Sequence, residues 1–245
     1  MAERMNSVEI NGSFYSLQRR SRFEEWTAQV PEDFEFAVKG GRFITHMKKL
    51  SGIETPLANF FASGVLALDQ KLGPILWQLP PNLGFDVDRM EAFFARLPPT
   101  AGSVAKIAAQ HDQRVPDDQA LTKAAHPSRR LRHAVEVRHE SFRNREFYEL
   151  LRQHEIALVV ADNPGQWPII TEITTDLMYV RLHGHDQLYA SGYSDQELDE
   201  WAAKIKSWSE QGCDVYVYCD NDAKVRAPYD AMGLMERLGL RAHSG

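Results

Sequence analysis

The strongest constraint in the sequence is the regular alternation of short strand segments with amphipathic helical segments. Strands that alternate with helices are typical of parallel βαβ units, and strands rich in Val, Ile and Leu fit a sheet that helices cover. The helical segments include a capping box at Ser194-x-x-Glu197 and a closing helix at Ala227–Leu238. Seven strands are predicted, at Met5–Phe14, Phe34–Lys39, Pro74–Leu79, Arg132–Arg138, Ile156–Ala161, Leu177–Leu182 and Asp214–Cys219.

This pattern favours an α/β fold, a TIM-type (β/α) barrel that lacks its first β/α unit. Such a barrel has about eight strands, whereas this chain begins almost directly in a strand and has seven. The uncertain segment Val104–Ile107 is an alternative source of the eighth strand. A doubly wound open sheet is the rival fold, but no G-x-G-x-x-G motif follows an early strand, which weakens its nucleotide-binding version. Two weaker predictions are a helix at Asp117–Ala125 and a short strand extension at Trp167–Thr171.

Composition indicates the class of protein but says little about its chemistry. The chain has 245 residues, of which 43% are hydrophobic and 25% charged, so we expect a single barrel domain over residues 1–245. No apolar run is long enough to span a membrane and no signal peptide is visible, which predicts a cytoplasmic protein without a membrane partner. The net charge of −6 argues against a nucleic-acid partner. The oligomeric state stays open.

The stretch Arg132–Ser141 indicates where a functional site lies. Val135 and Val137 share one face of the predicted strand, which places Glu136 and Arg138 on the other. A buried strand does not normally carry two charges on one face, because an unpaired buried charge is very costly. The exception is a strand whose end opens into a polar site.

The same pattern recurs at the ends of the other strands. The polar residues at the carboxyl ends would converge at one mouth of a barrel, where enzymes with this fold keep their sites. We therefore expect Glu136 and Arg138 to lie close to Arg181 and His183 of a later strand. The converging residues are Glu9, Asn11, Lys39, Gln78, Glu136, Arg138, Asp162, Arg181, His183 and Asp220.

The mixture of charges suggests a small anionic ligand. Lys39, Arg138 and Arg181 can hold a phosphate or carboxylate, arginine in a bidentate manner. Asn11, Gln78 and Asp162 would add polar contacts. Glu136, Glu9 and His183 are the candidate catalytic residues, because they can carry protons. The structural alternative is that Glu136–Arg138 and Asp162–Arg181 are ion pairs that plug the barrel.

Three classes of function remain open. The first is an enzyme that acts on a small anionic substrate by acid/base chemistry. The second is a glycosidase-like hydrolase with a carboxylate pair, and the third is a non-catalytic binding or scaffold protein. No Ser-His-Asp signature or P-loop is visible. His183, His185 and nearby carboxylates form only a loose ligand set that three cations would oppose, so no metal is predicted and the cofactor is left unknown.

Several motifs together resemble the YecE-like family, a domain of unknown function (DUF72). The similarity covers essentially the whole chain in order and implies a TIM-type barrel, but it implies no reaction. It also implies that an N-terminal strand and helix are absent here, and that Asn221 matches the family's pattern better than Asp220 as a ligand-binding residue. The motifs are Val8-Glu9-Ile10-Asn11-Gly12-Ser13-Phe14-Tyr15, Phe36-Ala37-Val38-Lys39 with Ile44-Thr45-His46, Gln78-Leu79-Pro80-Pro81, Glu136-Val137-Arg138-His139 with Ser141-Phe142, and Tyr179-Val180-Arg181-Leu182-His183-Gly184.

Overall fold

Seven parallel strands form a nearly closed barrel with helices between them, as the alternation predicts. The computed structural model describes residues 4–184, 188–189, 191–221 and 225–240. Neighbouring strands in the chain are neighbours in the sheet, which runs in order from the first to the last. The strands are β1 (Ser7–Ile10), β2 (Glu35–Lys39), β3 (Leu72–Gln78), β4 (His133–Glu136), β5 (Ile156–Asp162), β6 (Leu177–Leu182) and β7 (Asp214–Cys219).

The helices in the described residues cover the outside of the sheet. Shorter helical turns lie at Phe43–Met47, Val65–Lys71 and Glu140–Phe142. The α-helices are α1 (Gly12–Tyr15), α2 (Arg20–Ala28), α3 (Glu54–Ala62), α4 (Val87–Phe94), α5 (Ala101–Ala108), α6 (Arg145–Gln153), α7 (Asp195–Glu210) and α8 (Ala227–Leu238).

The two-residue repeat of the strands divides the core into an inner and an outer part. Outward residues pack against the helices, in one large cluster around β1–β5 and a second around β5–β7, α7 and α8. The inner cluster combines small residues with two tyrosines: Ala37, Leu76, Ala134, Ala157, Val159, Ala161, Leu177, Tyr179 and Tyr218. Because these inner side chains stop short of the strand ends, the polar residues above them occupy the mouth.

The barrel has one opening, between β1 and β7. These two strands end the sheet and do not pair with each other in the described residues. Hydrogen bonds between side chains connect strands across the barrel interior instead. Tyr179 of β6 donates a 2.6 Å hydrogen bond to Glu9 of β1, and Tyr216 of β7 donates one to Glu35 of β2. Polar contacts thus take the place of backbone pairing at this opening.

Three local predictions from the sequence were wrong. The segment around Val104 is helix α5 and not a strand, because Thr100 and Ser103 form a reciprocal capping box that starts a helix at Ala101. The predicted helix at Asp117–Ala125 and the predicted strand at Trp167–Thr171 are both irregular. The Phe43–His46 segment is a short π-helical turn.

No helix in the described part of the chain combines the length and apolar character that a membrane span requires.

Candidate functional site

Arg181 is the centre of a buried layer of ion pairs just below the mouth. Its guanidinium is fully buried and binds three carboxylates from three strand ends. Nη1 lies 2.8 Å from Glu136, and Nη2 lies 2.8 Å from both Glu9 and Asp220. Nε donates a further 3.0 Å hydrogen bond to Glu9. One guanidinium thus binds all three acids but balances only one of their charges, and Arg138 on Glu136 and the cations at the mouth balance the others.

Glu136 joins this layer to the mouth, because its two oxygens have different arginine partners. Oε2 accepts from Arg181, and Oε1 accepts a 2.6 Å hydrogen bond from Nε of Arg138. Burial alone would raise the pKa of Glu136, but the two guanidiniums hold it well below its usual range. Glu136 is thus a permanent carboxylate that orients Arg138.

Above this layer lies an open cavity of about 520 Å³ at the mouth. Three cationic side chains reach it, Lys39, Arg42 and Arg138, whereas Asp220 is its only carboxylate among the described residues. The remaining lining is polar or aromatic: Asn11, Phe14, Tyr15, His46, Gln78 and Tyr189. The cavity therefore has a surplus of positive charge.

Arg138 is held rigidly at the cavity wall. Its guanidinium carbon lies 4.0 Å from the ring centroid of Trp167, and its Nη2 donates a 3.3 Å hydrogen bond to Tyr189. With Glu136 on Nε, the planar group is fixed on three sides. Such a preordered guanidinium loses little entropy when it binds an anion.

Lys39 at the end of β2 is the second cation of the cavity and differs from Arg138 in its surroundings. The residue is only 6% exposed, and its ammonium lies 4.5 Å from the ring centroid of Phe14. Burial, and then the positive charge of Arg181, lower the pKa of this ammonium, although nearby acids partly oppose the shift.

His46 is a neutral imidazole at the cavity wall. Burial, together with Arg138 and Lys39, lowers its pKa to about 4. Nδ1 lies 2.9 Å from the hydroxyl of Thr45, and Nε2 lies 3.4 Å from the amide nitrogen of Gln78. His46 can thus offer a hydrogen bond to a ligand without adding charge.

His183 lies beneath the cavity and contacts two of the acids. Its Nδ1 is 3.0 Å from Asp220 and its Nε2 is 3.8 Å from Glu136, although neither contact has the alignment of a hydrogen bond. Burial alone would raise the pKa of Asp220, but His183 and Arg181 lower it. Asp220 is the one acid that connects this buried group with the cavity.

The structure brings most of the predicted residues together. As expected, Glu136 and Arg138 point inward, and Arg181 and His183 lie close to Glu136. Arg181 itself, however, is fully ion-paired below the cavity and is not among the residues that line it, unlike the position at the cavity wall expected from the sequence. Glu9 is likewise occupied, by Arg181 and by the hydroxyl of Tyr179.

Two predicted residues lie apart from the mouth. Asp162 shares the outward face of β5 with Val160, and its carboxylate accepts a 2.9 Å hydrogen bond from Tyr193 and not from Arg181. Asn221 points away from the cavity, because its amide donates to the carbonyl of Ser191 and to Asp230. Placing Asp162 and Asn221 in the ligand site was wrong, and Asp220 occupies the position expected of Asn221.

Sequence reasoning missed four residues that line the cavity, Phe14, Tyr15, Arg42 and Tyr189, and did not assign His46 to the site. All five lie outside the strands, so the two-residue repeat could not locate them. Only the position of His46 and Arg42 shortly after β2, on the mouth side of the barrel, could have suggested them. Within the described residues, which do not include His185, no group of three or more His, Cys, Asp or Glu side chains could hold a metal ion.

Comparison with known proteins agrees with this architecture. The family model described as "Protein of unknown function DUF72" matches residues 1–244. The UPF0759 protein YunF of Bacillus subtilis (strain 168) is 23% identical over 262 aligned positions, which cover 95% of this chain and 83% of that protein.

Solved structures show the same fold. A crystal structure of a DUF72 family protein from Enterococcus faecalis V583 is similar with a TM-score of 0.75 at 20% identity, and covers 100% of this chain and 90% of that one. A DUF72 family protein from Thermotoga maritima MSB8 has a TM-score of 0.72 at 25% identity, over 96% and 85% of the two chains. None of these names states a reaction or a ligand.

Proposed function

The chain belongs to the DUF72 family of uncharacterised barrel proteins, and we propose that its barrel mouth binds a small anionic substrate. The substrate carries a phosphate or carboxylate group, and the protein acts on it by acid/base chemistry. The observation that carries this proposal is the surplus of positive charge at the cavity. Lys39, Arg42 and Arg138 line it, while the acids below are already paired with Arg181.

Arg138 is the principal contact for the anion. Its guanidinium is fixed by Glu136, Trp167 and Tyr189, so it presents its remaining donors in one orientation. A planar, preordered guanidinium suits the two oxygens of a carboxylate or phosphate. Lys39 and Arg42 add charge from the neighbouring wall, and Gln78 and Asn11 add neutral polar contacts.

Asp220 is the proton carrier that this geometry supports best. It is the carboxylate that reaches the cavity, and His183 lies behind it at 3.0 Å. A proton accepted by Asp220 can pass to the imidazole of His183 behind it. Glu9 and Glu136 hold their arginine partners in place, so we assign them a positioning role.

A glycosidase-like mechanism has less support. It requires one carboxylic acid with a raised pKa to protonate the leaving group. Glu136 and Asp220 instead have lowered pKa values, because arginines or His183 lie against them. A purely structural plug is also disfavoured, because the ion pairs lie below an open cavity and do not fill it.

The test is calorimetric titration of the whole chain with inorganic phosphate, a small dicarboxylate and a small phosphorylated sugar. We expect Arg138→Ala to weaken binding of the best of these ligands about 10- to 100-fold, because charge-assisted hydrogen bonds contribute about 1.5–3 kcal/mol. The fold should survive, because Glu136 keeps its bond to Arg181.

The matched control is Arg143→Ala, which removes an exposed arginine paired only with Glu140 outside the cavity. Binding should be unchanged in this variant. The proposal is wrong if the unmodified chain binds none of the three anions, or if Arg138→Ala binds them as tightly as the unmodified chain does.

A further inference from the structure

We propose that Lys39 is a nucleophile that forms an imine with an aldehyde or ketone group on the anionic substrate. The inference rests on the proposed function and narrows its substrate class to small oxo acids and similar carbonyl-bearing anions. Lys39 is then a catalytic residue, whereas Arg138 holds the anionic group of the same molecule.

Lys39 is a buried ammonium that has no partner of opposite charge among the described residues. Within that part of the chain its side chain makes no hydrogen bond or ion pair, and the ammonium lies over the ring of Phe14. The other buried cations differ, because Arg181 binds three carboxylates and Arg138 binds Glu136. A lysine that served only to stabilise the fold would take a carboxylate partner in this acid-rich layer.

The surroundings of Lys39 favour an unprotonated amine. Burial and the nearby Arg181 guanidinium make the protonated form of Lys39 less favourable, and the charges of Glu136, Glu9 and Asp220 only partly compensate. Each unit by which the pKa falls increases the unprotonated fraction at neutral pH about tenfold. An unprotonated amine is the nucleophile that carbonyl chemistry requires, and desolvated lysines serve in this role.

The backbone on both sides of Lys39 fixes the position from which its side chain extends. Ser13 of α1 donates hydrogen bonds of 2.7 Å to the carbonyl oxygen of Lys39 and 3.0 Å to that of Ile10. The next residue, Gly40, lies so close to Trp77 that an added Cβ would be 2.3 Å from the indole ring. The end of β2 is therefore locked between α1 and β3, and Lys39 points from it into the cavity.

Imine formation can proceed with the groups that line this cavity. The lone pair of Lys39 Nζ attacks the carbonyl carbon, and the oxygen takes a proton to give a carbinolamine. A proton on the carbinolamine hydroxyl lets water leave as the C–O bond breaks and the C=N bond forms, so that one carbonyl, one amine and one proton yield one iminium ion and one water. Asp220 is the lining carboxylate that can relay these protons, and Arg138 binds the anionic end of the substrate.

Reductive trapping tests this inference on the whole chain. The protein is incubated at neutral pH with glyoxylate or pyruvate and sodium cyanoborohydride, and the product is analysed by intact-mass measurement and peptide mapping. We expect one dominant adduct per chain, on the peptide that contains Lys39. Labelling of that peptide should be at least about tenfold faster than labelling of exposed lysines, as expected from the larger unprotonated fraction.

Two variants serve as matched controls. Lys39→Arg keeps the charge but cannot form an imine, so the dominant adduct should disappear. Lys48→Arg removes an exposed lysine shortly after the same strand, and the adduct should remain. Circular dichroism establishes that each variant is folded, and the peptide map of the unmodified chain decides the question even if Lys39→Arg does not fold.

Failure of this inference can be separated from failure of the proposed function. If phosphate binds in the calorimeter but neither oxo acid labels Lys39 above the exposed lysines, Lys39 is only an electrostatic contact and the imine proposal is wrong. If Lys39 is labelled but Arg138→Ala weakens the binding of none of the anions, the error lies in the proposed anion site. A dominant adduct that persists in Lys39→Arg also overturns the imine proposal.

Discussion

Arg181 illustrates how one residue can organise a site that it does not itself line. Its guanidinium binds the carboxylates of Glu9, Glu136 and Asp220, which lie 172, 45 and 39 positions away in the chain. Burial alone would lower the pKa of its guanidinium, but Glu9, Glu136 and Asp220 raise it well above the usual value. The attraction among the four buried charges offsets their loss of hydration only while all four are present. A single unpaired charge at this depth is strongly destabilising.

We predict that Arg181→Met becomes more stable on acidification from pH 7 to about 4.5, a range in which Glu136 and Asp220 give the unmodified chain no pH dependence. In the unmodified chain the pKa values of Glu136 and Asp220 are lowered, so their contribution is present above the unfolded pKa of about 4 and is lost as the pH falls through the folded values. Without Arg181, burial is opposed mainly by Arg138 at Glu136 and by His183 at Asp220. Both pKa values should therefore rise, so that protonation of the buried acids favours the folded state and acidification stabilises the variant.

Urea denaturation at several pH values measures this effect. At pH 7 we expect Arg181→Met to lower the free energy of unfolding by about 3–5 kcal/mol, the typical effect of breaking a buried ion pair. Arg130→Met, which removes an exposed partner of Asp176, should cost no more than about 1 kcal/mol at any pH. Parallel pH profiles for Arg181→Met and the unmodified chain would contradict the central role assigned to Arg181.

At the level of elements, hydrogen bonds tie the ends of strands to the segments that follow them. Ser13 connects α1 to β2. On the opposite side, the hydroxyl of Tyr193 donates to Asp162 after β5 and accepts from the backbone N–H of Gly184 after β6. Asp162 therefore has a role in the architecture, since it fixes the start of the connection that leads from β6 to α7.

We predict that Tyr193→Phe lowers the free energy of unfolding by about 1–3 kcal/mol, because it leaves a partly buried carboxylate and a backbone N–H without their shared partner. Thermal denaturation measures the change, and hydrogen exchange at Gly184 should become faster. Tyr229→Phe removes a hydroxyl from a side chain that is 65% exposed and should have no effect. An unchanged melting temperature in Tyr193→Phe would show that this link does not contribute.

The opening between β1 and β7 is the main asymmetry of the whole molecule. Among the described residues, the two strands at the opening each have a backbone partner on one side only, and β7 is only partly buried. The central strand β3 is fully buried and paired on both sides. Stability should therefore be highest opposite the opening and lowest beside it.

Hydrogen exchange of the intact chain provides the measurement. We predict that amides of β7 such as Val215 and Val217 exchange at least about tenfold faster than those of β3 such as Trp77, because their local opening costs less free energy. Equal protection in β3 and β7 would mean that the opening is closed in solution by something other than the described residues.

The sequence by itself determined which face of most strands points inward. A two-residue repeat of apolar and polar side chains leaves only one face that can meet the helices, so Glu9, Lys39, Gln78, Glu136 and Arg181 could be assigned to the interior in advance. It also determined the bounds of α8 and the start of α7, because capping and apolar periodicity are local properties. Both faces of β5 are apolar, so the repeat could not show which face points inward. The inward placement of Asp162 was therefore wrong.

Only the tertiary structure decided how the inward charges are shared. Arg181 joins three acids that are distant in the chain, and no local pattern states which cation neutralises which carboxylate. The same long-range pairing leaves Arg138 and Lys39 facing the cavity and buries Arg181, although all three follow the same strand pattern. The loop residues Arg42, His46 and Tyr189 complete the cavity, because their positions follow from how the connections pack over the mouth and not from any repeat.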